Sequence, residues 1–185
     1  MIDFSAPADV VAPQLLGCVL RYGPVAVRLT EVEAYLGATD AAAHTYRGMT
    51  PRNATMFGPP GRLYVYISYG IHRAANLVCA PEGEGQGCLL RAGEVVAGED
   101  AVRTRRGDVP CNRLASGPGN LGKAFGFDLP DNGLAVGKHL LLTPPPAPVD
   151  YVRGPRIGIS KNADAPLRFW LPGHPTVTTP RSAPQ

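Results

Sequence analysis

Several residue types and patterns are scarce in this 185-residue chain, and each scarcity argues against a class of protein. Only three of the 18 basic residues are lysines, so a mechanism with a lysine nucleophile has few candidates. The four cysteines form no Cys-x-x-Cys pair, and with the four histidines they show no zinc-ligand spacing. The start of the chain lacks a signal-peptide pattern, and no apolar run approaches the length of a membrane span. We therefore expect a reduced, soluble, cytoplasmic protein with no metal and no other cofactor.

The overall composition is that of a folded protein with many turns. Hydrophobic residues make up 44% and charged residues 18% of the chain, which also contains 22 glycines and 20 prolines. We expect one domain over residues 1–185, frayed at 1–5 and 173–185, in a monomer. The net charge is only +3, so any affinity for nucleic acid must come from local clustering of charge.

Short elements are predicted along the whole chain. Alternating apolar and polar residues predict strands at Val25–Tyr35, Leu63–Ser68, Ile71–Cys79, Gly87–Val96, Arg153–Ile159 and Leu167–Leu171. Helical patterns are expected within residues 6–21, from Thr50 and Pro51 to Phe57, over 98–114, and from 116 onward. Residues 143–149 are a proline-rich connector, but the segment after residue 149 is too short to have a core of its own.

A window without acidic residues lies in the first half of the chain. Between Ala41 and Pro81 there is no Asp or Glu, yet the window holds four arginines and five aromatic residues: Arg47, Arg52, Arg62, Arg73, Tyr46, Phe57, Tyr64, Tyr66 and Tyr69. Positive charge interleaved with aromatic faces is typical of a surface that binds nucleic acid. A half-buried sheet with a solvated basic edge has the same composition, and composition does not separate the two.

Two glutamates in the first long strand are the candidate acid–base groups. Unless the strand bulges, alternation places Glu31, Glu33 and Tyr35 on the face of Val27 and Leu29, which points to the core. A carboxylate there is costly unless it is paired, protonated or in a cleft. Glu33 could act as a general base toward water or form a structural salt bridge, and spacing alone does not separate it from Glu31.

Other candidates come from polar or aromatic side chains in unusual positions. Arg91 stands in an apolar strand and must pair with an acid if it is buried, in a structural ion pair or beside a catalytic carboxylate. His44 in a loop and Asn76 in a strand could contact a base, or simply be solvated and bonded to backbone. An extruded base needs stacking partners and a side chain to fill the gap it leaves, and three tyrosines suit these roles: Tyr35, Tyr66 and Tyr69.

Five sequence blocks resemble the alkyladenine (methylpurine) DNA glycosylase family. They read EVEAYLG, AAAHTYRGMTPRNATMFGPPGRLYVYISYG, GCLLRAGE, SGPGNLGKAFG and PRIGIS followed by PLRFW, in the family's order and over nearly the whole chain. The resemblance implies a monofunctional enzyme that excises damaged purines from duplex DNA by hydrolysing the N-glycosidic bond. Strand count and resemblance together predict an α+β fold, a single domain with a curved, mostly antiparallel, open-barrel-like sheet flanked by short helices.

The resemblance also implies a role for each matching residue. Glu33 matches the catalytic base, Arg91 helps to hold the attacking water, and the carbonyl of Ile157 is the other water ligand. Tyr35, His44 and Tyr66 match the walls around the flipped base, Asn76 crowds the guanine amino group, and Tyr69 intercalates. Phosphate contacts are expected from the arginines of the acid-free window: Arg47, Arg52, Arg62 and Arg73. The expected partner is double-stranded DNA that contains 3-methyladenine or 7-methylguanine, with hypoxanthine and ethenoadenine as further candidates.

Two other functions remain as alternatives. A bifunctional glycosylase with lyase activity needs an amine nucleophile, and three scattered lysines make that a poor fit. A binding module that recognises lesions without cutting would have no need for Glu33 and Arg91.

Overall fold

Short elements joined by turns make up the fold. In the computed structural model, which describes residues 1–179, the helices are α1 (Ala8–Leu15), α2 (Glu99–Arg106) and α3 (Pro118–Phe125). The strands are β1 (Val19–Tyr22), β2 (Val25–Tyr35), β3 (Leu63–Ser68), β4 (His72–Cys79), β5 (Gln86–Ala97), β6 (Ala115–Ser116), β7 (Leu141–Thr143), β8 (Val152–Gly154) and β9 (Arg168–Trp170). None of the helices in these residues is long and apolar enough to span a membrane.

Strand β2 is the centre of the sheet. The main strand order is β3-β4-β5-β2-β1-β7, with β6 beside β5 and β8 beside β9. Along one edge β2 pairs with β5 over almost its whole length, while its other edge pairs first with β1 and then with β9. All these pairings are antiparallel and the sheet does not close, so the predicted α+β fold with an open sheet and short flanking helices is confirmed.

A pair of bulges decides which face of β2 each side chain occupies. The register with β5 shifts between Leu29 and Glu31 and again between Glu31 and Val32. Val27 and Leu29 belong to the hydrophobic core, but beyond the bulge it is Val32 and Ala34 that belong to it. The alternation therefore changes phase, and Glu33 points away from the core. The expectation that the carboxylates share the face of Val27 and Leu29 holds only for a strand without bulges.

The hydrophobic core lies between the other face of the sheet and the helices. Helix α1 contributes Val11 and Leu15, and α3 contributes Leu121 and Phe125, to the same cluster as the inner residues of β2. These residues recur every three or four positions, which gives each helix one apolar face to bury. The core thus supports the central strands from behind and leaves their opposite face free.

Several predicted elements need correction. The short helix expected within residues 6–21 is confirmed as α1, but the sequence pattern did not predict the strands β1, which follows it at residues 19–22, and β7. The helix predicted from Thr50 is wrong, since only a 3-10 turn at Ala54–Phe57 forms. Asn53 holds the preceding loop instead, accepting from the Thr50 amide and donating to the carbonyls of His44 and Gly48.

Two other elements end earlier than predicted. The strand expected over 153–159 ends at Gly154, and the helix expected over 98–114 ends at Arg106. Gly107, with a φ of 77°, terminates α2, and a 3-10 turn at Cys111–Arg113 comes after it.

The C-terminal segment up to residue 179 packs on the sheet, in contrast to the expected fraying from 173. Thr176 is buried and its hydroxyl is 2.7 Å from that of Thr30, while Thr178 hydrogen-bonds the carboxylate of Glu31. Near the N-terminus, Ile2 and Phe4 are half-buried against the core. Residues 180–185, also expected to be frayed, lie outside the described residues.

Candidate active site

A row of paired residues crosses four strands on the face opposite the core. Glu33 in β2 pairs with Leu89 in β5, Leu89 pairs with Asn76 in β4, and Asn76 pairs with Tyr64 in β3. Residues opposite each other in antiparallel strands project on the same side of the sheet. The row therefore places a carboxylate, an apolar side chain, an amide and a phenol side by side.

Three members of this row, Leu89, Asn76 and Tyr64, form the floor of a cavity of about 490 Å³. That volume lies in the ~300–1,000 Å³ range of small-molecule sites. Eight of the predicted site residues line it, and they come from every part of the chain: Tyr35, His44, Arg52, Tyr66, Tyr69, Asn76, Arg91 and Ile157. Glu33 lies just behind this lining and contacts three of its members.

Glu33 is fully buried and held at both carboxylate oxygens. The Ile157 amide donates to Oε1 at 2.8 Å, and the Tyr35 hydroxyl donates to Oε2 at 2.8 Å. Arg91 Nη1 lies 3.4 Å from Oε1. Hydrogen bonds of this kind compensate for burial and fix the direction of the carboxylate. The family resemblance implies that the Ile157 carbonyl is a ligand of the attacking water, which stays a prediction; the contact of Ile157 with Glu33 itself is made by its N–H.

Glu31 has a different set of partners. Its Oε1 accepts from Arg168 Nε at 2.7 Å and from Arg91 Nε at 3.2 Å. The Thr178 amide and hydroxyl donate to the same carboxylate at 2.7 and 2.8 Å. Glu31 is thus enclosed by two guanidinium groups and Thr178, and of the cavity lining it contacts Arg91 alone, whereas Glu33 contacts three lining residues. This difference separates the two glutamates, which their spacing did not.

Arg91 connects the two carboxylates. Its side chain is 9% exposed, contacts Glu31 through Nε and Glu33 through Nη1, and donates from Nη2 to Thr178. One guanidinium thus supplies a positive charge to two neighbouring carboxylates. We predicted that a buried Arg91 must pair with an acid, and it pairs with two, Glu31 and Glu33.

Aromatic rings form a large part of the cavity walls, beside Arg52 and Arg91. The rings of His44 and Tyr66 meet edge to face, with centroids 4.4 Å apart. Burial raises the pKa of Tyr66 to about 12, and burial together with the neighbouring Glu33 raises the pKa of Tyr35 above its ordinary range. The pKa of His44 is lowered because its ring is partly desolvated and Arg52 is nearby. At neutral pH the rings of Tyr35, Tyr66 and His44 are therefore uncharged.

A buried ion pair beneath Tyr35 was not predicted from the sequence. Arg156 forms two hydrogen bonds to Asp40 at 2.6 and 2.8 Å, and its guanidinium lies 4.5 Å from the centroid of the Tyr35 ring. Asp40 directly precedes the acid-free window, and Arg156 directly precedes Ile157. These two neighbouring positions are the only sequence signal for Asp40 and Arg156. The pattern of charges does not show that two residues 116 positions apart form an ion pair.

Tyr69 stands at the tip of the β3–β4 hairpin. It is 86% exposed and lines the mouth of the cavity. Tyr69 and Gly70 have φ values of 49° and 73°, and the Ile71 amide donates to the Ser68 carbonyl. Positive φ at both central residues is typical of type I′ hairpin turns, but it is costly for a bulky residue. The exposed position agrees with the one expected for an intercalating side chain.

The four arginines expected to contact phosphate differ in their surroundings. Arg47 is exposed, and Arg52 is exposed and lines the cavity, with Nη2 donating to the Ile67 carbonyl at 3.0 Å. Arg62 donates to the Gly133 carbonyl, and Arg73 forms an ion pair with Asp128 at 2.7 Å. The first two are therefore more available to a phosphate than the last two.

A search for related proteins decides the family. The model of the methylpurine-DNA glycosylase (MPG) family matches residues 2–175. The chain belongs to this family. A relative from Corynebacterium efficiens is 65% identical over all of this chain and 97% of its own, and one from Corynebacterium glutamicum is 62% identical over all of this chain and 98% of its own. A relative from Mycobacterium leprae is 46% identical over 95% of this chain and 86% of its own. All three carry the name "Putative 3-methyladenine DNA glycosylase".

Membership of the methylpurine-DNA glycosylase family confirms the resemblance predicted from the five sequence blocks. It also confirms the enzyme class, a DNA glycosylase that hydrolyses N-glycosyl bonds. The match includes the strand with Glu33, the cavity loop, the hairpin and Ile157.

Proposed function

We propose that the protein is a monofunctional DNA glycosylase that removes damaged purines from duplex DNA by hydrolysis. The observation that carries this proposal is the position of Glu33, a buried carboxylate directly behind the wall of an aromatic cavity. A general base must lie within hydrogen-bonding reach of the water it activates. The backbone of Ile157 and the guanidinium of Arg91, both in the cavity lining, can hold such a water beside Glu33.

The proposed reaction is a displacement at C1′ of the damaged nucleotide. The glycosidic bond breaks with its electron pair going to the purine nitrogen, through a cationic, oxocarbenium-like sugar. A water oxygen bonds to C1′, and Glu33 accepts the water proton. The carboxylate also stabilises the transient positive charge on the sugar. The products are a free purine and an abasic site.

Recognition of alkylated purines is expected from the neutral aromatic walls. N-alkylation gives the purine a positive charge, and a cation gains up to about 2 kcal/mol from desolvated aromatic faces such as Tyr35 and Tyr66. The same charge makes the purine a good leaving group. 3-Methyladenine and 7-methylguanine are therefore the favoured substrates. Asn76 beside Leu89 on the floor would crowd the guanine amino group, so that normal guanine, which has no positive charge to offset this contact, is disfavoured. Hypoxanthine and ethenoadenine lack the charge and are expected to react more slowly.

Access to the cavity requires that the nucleotide leave the duplex, which costs unstacking energy. Tyr69 projects from the hairpin at the mouth and would occupy the gap in the base stack. Arg47 and Arg52 would contact the phosphates on either side, with smaller contributions from Arg62 and Arg73. Affinity for DNA should therefore decrease steeply with salt.

The test is the release of free 3-methyladenine from methylated DNA by the wild type and by Glu33→Gln. We expect the variant to lose about 100- to 10,000-fold in single-turnover rate, because the general base is gone, while it still binds lesion DNA. Glu84→Gln, at an exposed position in the turn before β5, is the matched control and should keep the wild-type rate. An active Glu33→Gln variant would show that another group is the base.

The hydrolytic and lyase mechanisms are separated by borohydride trapping on abasic-site DNA. Lys123, Lys138 and Lys161 are exposed and none is part of the cavity lining in the described residues, so no covalent adduct should form. A trapped adduct would overturn the monofunctional assignment.

A further inference from the structure

The Asp40–Arg156 ion pair has no part in the reaction proposed above. Neither side chain has any exposed surface, and Arg156 Nη1 also donates to the Ala34 carbonyl at 2.9 Å. Withdrawing two charges from water is costly, and apolar residues of similar size often stabilise a fold equally well. A buried pair of this kind beside a cavity therefore suggests a role other than stability.

Arg156 is connected to both oxygens of Glu33. Its guanidinium lies over the ring of Tyr35, whose hydroxyl donates to Oε2. The next residue in the chain, Ile157, donates its amide to Oε1. Arg156 therefore contacts the ring of Tyr35 and is bonded through the backbone to Ile157, the two residues that fix the direction of the Glu33 carboxylate.

Asp40 connects this arrangement to the cavity loop. Besides Arg156, its carboxylate accepts from the amides of Leu36 at 3.1 Å and Ala42 at 3.2 Å, and from Asn162 at 3.1 Å. Burial opposes its ionisation, but the hydrogen bonds from Arg156 and Asn162 outweigh burial and lower its pKa to about 2. Asp40 therefore stays charged over the working range of pH and joins the end of β2, the loop that carries His44, and residues 156–162.

We propose that Asp40 and Arg156 are positioning residues that hold Tyr35 and the Ile157 amide in the places where each donates to one oxygen of Glu33. They act through these neighbours and do not touch the reacting atoms. The inference rests on the proposed function, because it assigns the pair to the orientation of that base. It predicts that disturbing the pair slows the chemical step while lesion binding remains.

The main variant is Arg156→Lys, which keeps the positive charge facing Asp40 but loses the planar fork and the stacking on Tyr35. We expect the single-turnover rate of 3-methyladenine release to fall on the order of 10- to 100-fold, because small misplacements of catalytic groups have effects of that size. Affinity for lesion DNA should change less than about threefold. If Arg156→Lys does not fold, the double variant Asp40→Asn/Arg156→Gln, which leaves no unpaired charge, is measured in its place.

A double-mutant cycle with Tyr35→Phe distinguishes positioning from simple stabilisation. If Arg156 acts through Tyr35, the loss in the double variant should be clearly smaller than the product of the two single losses. Val102→Ala, in the core of α2, serves as the destabilised control and should keep the wild-type rate at temperatures where it is folded.

The possible outcomes separate this inference from the proposed function. A wild type that releases no base would refute the proposed function. With an active wild type, a slow Arg156→Lys variant and a non-multiplicative cycle support the positioning role. A wild-type rate in Arg156→Lys, a loss no larger than that of Val102→Ala, or multiplicative effects with Tyr35→Phe would overturn it.

Discussion

Glu31 and Glu33 lie two residues apart on one strand and have opposite surroundings. Glu31 accepts from Arg168, Arg91 and Thr178, so that every direction around its carboxylate is taken by a donor. Glu33 accepts from one amide and one phenol, and reaches Arg91 at 3.4 Å, directly behind an open cavity. The first arrangement is that of a structural ion cluster, and the second suits the general base that we propose. Partners, rather than residue type or burial, make the difference.

The comparison is tested most strongly by exchanging each glutamate for its amide. In Glu31→Gln the new NH₂ group would face either two guanidinium groups or the Thr178 amide, with only the Thr178 hydroxyl able to accept, and both guanidinium groups would lose the charge of Glu31. We expect the free energy of unfolding to decrease by about 3–5 kcal/mol, as for other broken buried ion pairs. Chemical denaturation measures this directly.

Glu33→Gln is the companion variant in that measurement. Its amide oxygen can still accept from Ile157, its NH₂ can donate to the Tyr35 hydroxyl, and Arg91 keeps Glu31 as a partner. The loss of stability should therefore stay within about 1 kcal/mol. Equal losses in the two amide variants would mean that the two sites do not differ in the way described.

Arg91→Lys perturbs both sites at once. A single ammonium group cannot reach Glu31, Glu33 and Thr178 in the way that three nitrogens of one guanidinium do. We expect a decrease of about 1–3 kcal/mol in stability, together with a loss of about tenfold or more in single-turnover excision. Arg28→Lys, in an exposed ion pair with Glu94, is the control and should change neither quantity. Loss of only one of the two properties would show that Arg91 serves one site alone.

The sequence predicts the strands and both glutamates, but not the direction in which each glutamate points. Alternation placed Val25–Tyr35 and Leu63–Ser68 correctly as strands, because period-2 patterning directly reflects a sheet with one buried face. It did not predict the bulges that turn Glu33 away from the core, because a bulge is a feature of pairing between two strands. The sequence alone therefore does not determine which face of the sheet each residue beyond Leu29 occupies; the register with β5 does.

The same limit applies to the candidate site. Glu33, Arg91 and the aromatic residues were named because their types match the chemistry and the family resemblance, and the fold brings eight of the named residues to one cavity. Arg156, Asp40 and Arg168 were not named, since each is identified only by a partner distant in the chain. Local patterns reveal which residues could carry chemistry, whereas the network that positions them depends on tertiary contacts.

The protonation of His44 shows whether the aromatic walls must stay uncharged, in contrast to the charged cluster around Glu31. Because its pKa is lowered, His44 stays neutral at pH values where a free histidine, with a pKa of 6.5, would begin to protonate. As pH falls further and His44 gains a proton, release of cationic 3-methyladenine should decrease several-fold more than release of neutral hypoxanthine, since like charges at about 4 Å repel by roughly 1 kcal/mol even in water.

His44→Gln cannot gain that proton. The variant should lose the selective decrease for the cationic base, measured as the ratio of the two release rates across acidic pH. A ratio that falls equally in wild type and variant would assign the effect to another group.

Tyr69 differs from Glu31 in both exposure and strain. Its side chain is exposed and its backbone is strained, whereas Glu31 is buried and its carboxylate is hydrogen-bonded. At a φ of 49° a tyrosine is unfavourable, whereas Asn162 adopts the same φ with a residue type that tolerates it. Tyr69→Asn should therefore raise the free energy of unfolding by about 1 kcal/mol while it slows excision several-fold, because the aromatic ring that fills the base stack is lost. Ala80→Gly relieves another positive φ of 67° at a buried position at the far end of β4 from the hairpin tip, and is the control that should leave excision unchanged. Tyr69→Asn with unchanged excision and flipping would show that the strained turn has no part in extruding the base.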